Sequence, residues 1–197
     1  MSKSDPSASK KERLKTVRWV ITIFIVTILV SATISFASSE LMELSSMVFK
    51  FLILLVIIFV GIIFDIVGVA VTSAEEKPFH SMAARRVAGA QESILLLRNA
   101  ERVSSICNDV IGDICGVISG SASASIAAGI ISNFSGAADE IIMLAMSAVV
   151  AGLTVGGKAV GKTFAIGSCT KIVFFVGKII FLFRHPSMAF RNKKKKR

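Results

Sequence analysis

Ser105, Asn108, Asp109 and Asp113 lie within nine residues of one another, in the stretch SSICNDVIGDICGVISG. On one helix Ser105, Asp109 and Asp113 fall at i, i+4 and i+8 and share a face, with Asn108 and Gly112 beside them. Hydroxyl, amide and carboxylate oxygens are the donors that hard cations such as Mg²⁺, Ca²⁺ or Na⁺ accept. A further carboxylate, Asp65, stands in IIFDIVGVAVTSA, about nine residues or roughly 13 Å from the end of its own apolar run. Asp109 and Asp113 enter theirs by a similar distance, so the three acids are expected to meet at one depth. That set (Asp65, Asp109, Asp113, Ser105 and Asn108) is a candidate cation site, with Mg²⁺ as a bound or transported ion. The competing reading is that the acids pair with lysines, Lys158 above all, or cap helix ends. Ionisable groups inside a hydrocarbon layer are costly and point to function or to a partner charge.

The elements that would position these groups are small-residue helices. Gly112, Gly116 and Gly120 form a small-xxx-small stripe, and Gly152 with Gly156 forms another. Such stripes let helix backbones approach closely, so these five glycines are assigned to helix packing.

Composition places the helices in a bilayer. The 197 residues are 53% hydrophobic with a net charge of +10, and the mean hydropathy is +0.74, unlike a soluble domain of this size. Residues 1–18 are a basic N-terminus. Trp19 to Ser39 and Phe51 to Ala74 are each long enough to cross a membrane, which takes about 20 residues. The first run exceeds the h-region of a signal peptide, which favours a retained helix. Ser104 to Ala138 and Ile141 to Gly157 supply two more spans. The fold class is therefore an all-α integral membrane protein of four transmembrane helices, with a helical hairpin over 75–102 and a C-terminal interfacial amphipathic helix over 164–183. In that last helix Lys171 and Lys178 snorkel, and a fifth span is the alternative. Residues 184–197 are a basic tail.

Charge orients the chain. Arg85, Arg86, Arg98 and Arg102 join the basic termini on one side, while Glu40, Glu43, Asp139 and Glu140 fall on the other. The positive-inside rule then makes both termini cytoplasmic in a multi-pass cell-membrane protein. Partners implied are anionic lipid headgroups, and a second copy or another membrane protein along the glycine stripes. Nucleic acid is not expected, since no aromatic residues interleave the lysine runs. Enzymatic chemistry finds no support, because His80 and His185 lack a paired nucleophile. Gly157 to Lys162 has the wrong spacing for a phosphate loop. The three cysteines (Cys107, Cys115, Cys169) read as small packing residues.

FDIVGVAVTSA, followed by a helical segment ending LLLRNAERVSS, resembles the transmembrane domain of the CorB/cyclin-M magnesium transporters. That family has a helix ending in F-S-x-S-E-T-A-L-T-S, a cytoplasmic hairpin finishing in L-L-x-N-P-E-R-L-L-S, and a later helix carrying G-E-x-x-P-K. Phe64 to Ala74, Leu96 to Ser105 and Gly157 to Lys162 fall in the corresponding places, so the resemblance covers about Ile53 to Arg184 and residues 51–183 form the implied domain. It implies magnesium transport. Four departures cut against that. Asp65 stands where the family has a serine, Gly68 where it has the glutamate, Lys158 where the later motif has its glutamate, and Gly161 where it has proline. The helix over 19–39 is extra, and the family's CBS and CorC-type cytoplasmic domains have no counterpart in these residues. Acid in one helix and base in the other suggest that Asp65 and Lys158 neutralise each other.

Overall fold

The computed structural model describes residues 6–43, 45–133 and 139–184. All of its elements are helical, and four helices are long and apolar enough to cross a bilayer. In chain order they are α1 (Pro6–Glu43), α2 (Met47–Ser73), α3 (Lys77–Ala84), α4 (Ala90–Arg98), α5 (Ala100–Ser104), a π-helical segment (Ser105–Gly112), α6 (Asp113–Asn133) and α7 (Asp139–Arg184).

Helix α2 is the centre of the bundle, packed against α6, α7 and the π segment. Its 27 residues make a rod about 40 Å long at 1.5 Å per residue. A run this apolar has to satisfy its own backbone wherever water is excluded, and a helix does so completely. Lipid tails are as apolar as leucine, so close fit rather than burial from water must join helices there. The fit runs through glycine. Cys115 of α6 lies against Gly61, where an added methyl would come 2.9 Å from its Cβ. In the other direction Ile62 and Ile66 of α2 press into notches at Gly157 and Gly161 of α7; a methyl at Gly161 would sit 2.8 Å from Ile66 Cγ1. Hydroxyls in the apolar helices turn inward on their own backbone: Thr33 donates to the Leu29 carbonyl at 2.8 Å and Thr154 to that of Val150 at 2.8 Å. This removes the cost of an unpaired donor.

Three apolar clusters follow. Met42, Leu54, Ile58, Ala122, Ile126 and Val150 join all four long helices near the α1–α2 turn. Val110, Ile114 and Ile118 meet Ile23 and Val30 of α1 and Ile57 of α2. At the far end Phe79, fully buried, packs among Ala70, Val71, Leu97, Ala165 and Val173 and locks the hairpin onto α2 and α7. Helix α1 is the peripheral one. Its apolar window is wholly outside the core, and at its basic end the Arg102 guanidinium sits 5.2 Å over the Trp19 ring.

Several expectations about boundaries change. The polar loop expected over 39–50 shrinks, since α1 runs to Glu43 and α2 starts at Met47. Within the helical hairpin expected over 75–102 the two helices are α3 and α4, divided where Arg86 (φ 55°) and Gly89 (φ 91°) adopt the left-handed conformation. Gly89 is also where a side chain would strike Lys178, 2.7 Å from its Cα. The interfacial helix expected over 164–183 is joined to the helix before it and set off from it by a kink at Ser168. It is the end of α7, which passes Lys158 and Lys162 without interruption and bends at Ser168 (φ −126°, ψ 18°), at a Gly-Ser pair of the kind that permits kinks. Beyond the bend Val173 and Gly177 are buried while Lys171 and Lys178 are exposed. The buried side meets α4: the Ser93 hydroxyl donates to the Gly89 carbonyl at 2.9 Å with the Val173 carbonyl at 3.3 Å. The stretch expected to cross at Ser104 to Ala138 is helical to Asn133, and residues 134–138 lie outside the described residues.

Candidate functional site: an Asp-Lys-Asp cluster between helices

The ionisable groups are brought together by three elements. Lys158, three residues before the Gly161 notch of α7, extends its ammonium between α2 and α6. Its Nζ lies 3.8 Å from Asp65 Oδ1 and 4.0 Å from Asp113 Oδ1. Both separations exceed the roughly 2.7–2.9 Å of a charge-assisted hydrogen bond. The ammonium therefore holds two carboxylates electrostatically without bonding tightly to either. The acids differ in surroundings: the Asp65 side chain is 16% exposed, the Lys158 side chain 25% and the Asp113 side chain 73%. Asp65 is thus the more enclosed of the two acids beside the lysine. The cluster carries two negative charges and one positive.

Gly112 makes the lysine's approach possible. A methyl there would sit 3.3 Å from Nζ and 3.8 Å from Asp65 Oδ1, so the missing side chain leaves the channel through which the two helices' charges meet. This is the one glycine of its stripe used inside the chain. Gly116, Gly120, Gly152 and Gly156 have open space where a Cβ would stand. They were assigned to helix packing, and they pack against nothing within the chain. The glycines that do were legible only in part: Gly61, Gly68, Gly157, Gly161 and Gly177 each face a close neighbour, but they do not form one regular stripe.

Asn108 sits one turn from this cluster in the π segment. Its amide fills the space over Gly68, where a methyl would overlap it. The amide nitrogen donates to Ser104 Oγ at 3.2 Å, while Oδ1 is buried without a partner. A π segment widens the turn, so its residues rotate less from one to the next than in an α-helix, and such segments occur frequently at functional sites. The regular i, i+4, i+8 alignment expected for Ser105, Asp109 and Asp113 rests on an α-helix that is not present over Ser105–Gly112. Asp109 is exposed and makes no ion pair among the described residues. Ser105 is partly exposed. Among the described residues, no three of His, Cys, Asp and Glu gather closely enough to hold a metal ion.

A second polar place was not anticipated. Near the α1–α2 turn a cavity of about 390 Å³ is lined by Ser35, Ser38, Ser39, Lys50, Ser121 and Ser125 together with Met42 and Ala122. The serines come from α1 and α6, which pack on each other through Met42, Ile23 and Val30 of α1. His80 pairs with Glu76 at 3.1 Å on the exposed surface of α3, away from the cluster.

The chain matches no protein-family model, no curated protein and no solved structure.

Proposed function

We propose that this chain is a multi-pass membrane protein in which Lys158 is a resident counter-ion, so that the Asp65–Lys158–Asp113 cluster joins helices instead of binding a divalent cation. The observation that carries the reading is the position of Nζ, within 4.0 Å of both carboxylates. A divalent cation 4 Å from that ammonium would be repelled by about 8 kcal/mol at an effective dielectric of 20, twice the figure for unit charges. Two carboxylates, one largely in solvent contact, must outweigh this before such an ion could enter. The chain is then a scaffold or partner subunit of a cell membrane. Its arginine-rich hairpin and basic ends lie at the cytoplasmic face against anionic headgroups.

A cation-handling reading keeps one observation in its favour. The buried Oδ1 of Asn108 has no partner, and an orphaned oxygen is an available ligand. In that reading Mg²⁺ is the substrate, and Asp65, Asp113, Asn108 and Ser105 receive it after Lys158 swings aside.

Purified protein in vesicles loaded with a magnesium-sensitive dye separates the two. The counter-ion reading expects no uptake above protein-free vesicles. Saturable uptake that Asp65→Asn abolishes would replace it with the transporter.

A further inference from the structure

The cavity beside the α1–α2 turn gathers hydrogen-bond donors without acceptors to meet them. On α1, Ser35, Ser38 and Ser39 recur at spacings of three and four and so share a face. On α6, Ser121 and Ser125 stand about one turn apart, and α2 adds Lys50. Ser39 and Ser121 already donate to the carbonyls of Phe36 and Ile118, each at 2.9 Å. Ser35, Ser38 and Ser125 make no side-chain hydrogen bond among the described residues. A helix serine commonly avoids this by bonding back to its own turn, as Ser39 does. Ser38 has not done so, yet it is only 8% exposed and lines the cavity. An enclosed donor without a partner is costly, so the hydroxyl calls for an acceptor inside the cavity.

The charge there is positive. Lys50 is partly buried and makes no ion pair among the described residues. Glu40, near the end of α1, is exposed, and no carboxylate lines the cavity among the described residues. An ammonium offers donors and no acceptor, so the lysine and the unpaired hydroxyls together suit an anion with several oxygens. The volume of about 390 Å³ is many times the roughly 30 Å³ of one liquid water, which leaves room for a polyatomic group. Depth narrows the choice further. Helix α2, about 40 Å long, matches the roughly 40–45 Å of a bilayer with its headgroups. Lys50 is its fourth residue, about 5 Å from the start, at the level of the headgroups. Nearby in sequence Phe36, Leu41, Phe49 and Leu52 are more than half exposed, as suits contact with acyl chains.

We propose that this cavity binds a phosphate group, with the Lys50 ammonium as counter-charge and the Ser35, Ser38 and Ser125 hydroxyls as donors. A phosphodiester carries one negative charge, which one lysine balances. A phospholipid headgroup and free inorganic phosphate share this chemistry. The proposal needs α1 and α2 in a bilayer but not the counter-ion role of Lys158, so failure of either leaves the other standing.

The test is thermal unfolding of the full-length chain in dodecyl maltoside micelles, followed by circular dichroism. The added probes are phosphatidylglycerol, diacylglycerol with the same acyl chains, and inorganic phosphate. A ligand of the folded state raises Tm with its concentration, so an apparent affinity can be read for each. Phosphatidylglycerol raises Tm and diacylglycerol does not. Lys50→Gln weakens the response about tenfold, as expected for a lost charge-assisted hydrogen bond, whereas Lys50→Arg keeps most of it. Lys171→Gln, at an exposed lysine elsewhere, responds like the original. Ser38→Ala weakens binding about fivefold, yet without ligand it melts no lower than the original, because the hydroxyl it lacks had no partner. That variant decides the question if Lys50→Gln does not fold. A rise with the lipid alone identifies a headgroup, and an equal rise with inorganic phosphate identifies the free anion. Phosphate ions also stabilise proteins by exclusion, so only the part lost in Lys50→Gln or Ser38→Ala counts. The proposal is overturned if neither phosphate source raises Tm, if diacylglycerol matches phosphatidylglycerol, or if Lys50→Gln and Ser38→Ala respond like the original.

Discussion

Replacing Lys158 by Met removes the ammonium from the cluster and leaves Asp65, with its side chain 16% exposed, facing Asp113 without a counter-charge. At 3.8 Å the attraction of unit charges is about 4 kcal/mol at an effective dielectric of 20. Taking one partner from a buried pair costs about 3–5 kcal/mol, because the other charge is left unpaired. Partial solvent contact at both groups reduces the loss, so about 3 kcal/mol is expected. For a chain of this size that corresponds to a fall in Tm of roughly 10 °C. The assay is loss of helical circular dichroism on heating in detergent micelles, for Lys158→Met, Asp65→Asn and the double variant. Asp65→Asn alone should cost less, since Lys158 keeps Asp113 and some solvent. The double variant should be more stable than Lys158→Met, because the orphaned carboxylate is gone; a coupling of about 2 kcal/mol is expected. If Lys158→Met melts within a degree of the original, or if the two substitutions are additive, the cluster does not hold the helices together.

Two further outcomes test the packing. Gly177→Ala places a methyl 2.7 Å from the Gly89 carbonyl oxygen and against Ser93, and should cost about 1–3 kcal/mol. Gly167→Ala, beside open space, should cost little, so faster amide exchange over Ala90–Arg98 in the first variant alone is the expected signature. Arg102→Ala removes the guanidinium over Trp19 and loosens the end of α1 by about 0.5–1 kcal/mol. Since Trp19 is the single tryptophan, its fluorescence quenching by iodide should rise, and an unchanged quenching constant would show that the apolar contacts of Ile23, Val30 and Met42 hold α1 without the guanidinium.

Much of the architecture was readable from the chain because it depends on local sums. An apolar run of twenty residues is long enough to cross a bilayer whatever its neighbours are, so the four long apolar helices and their order followed from composition. The opposed signs of Asp65 and Lys158 also anticipated their pairing, since charges in an apolar layer need partners. What remained illegible depends on rotation about a helix axis. The π segment at Ser105–Gly112 alters the rotation per residue just where Asp109 and Asp113 were to be aligned. Only Asp113 ends beside Lys158, and Asp109 faces outward. Glycine spacing likewise shows where a close approach is permitted, not whether a neighbour takes it. Gly61 and Gly161 are filled by Cys115 and Ile66, while Gly116 and Gly152 stay open. Transfer into an apolar layer is additive along the sequence, whereas contact between helices is decided by which side each one turns to the other. The long apolar helices belong to the sequence, and the Asp65–Lys158–Asp113 cluster belongs to the tertiary structure.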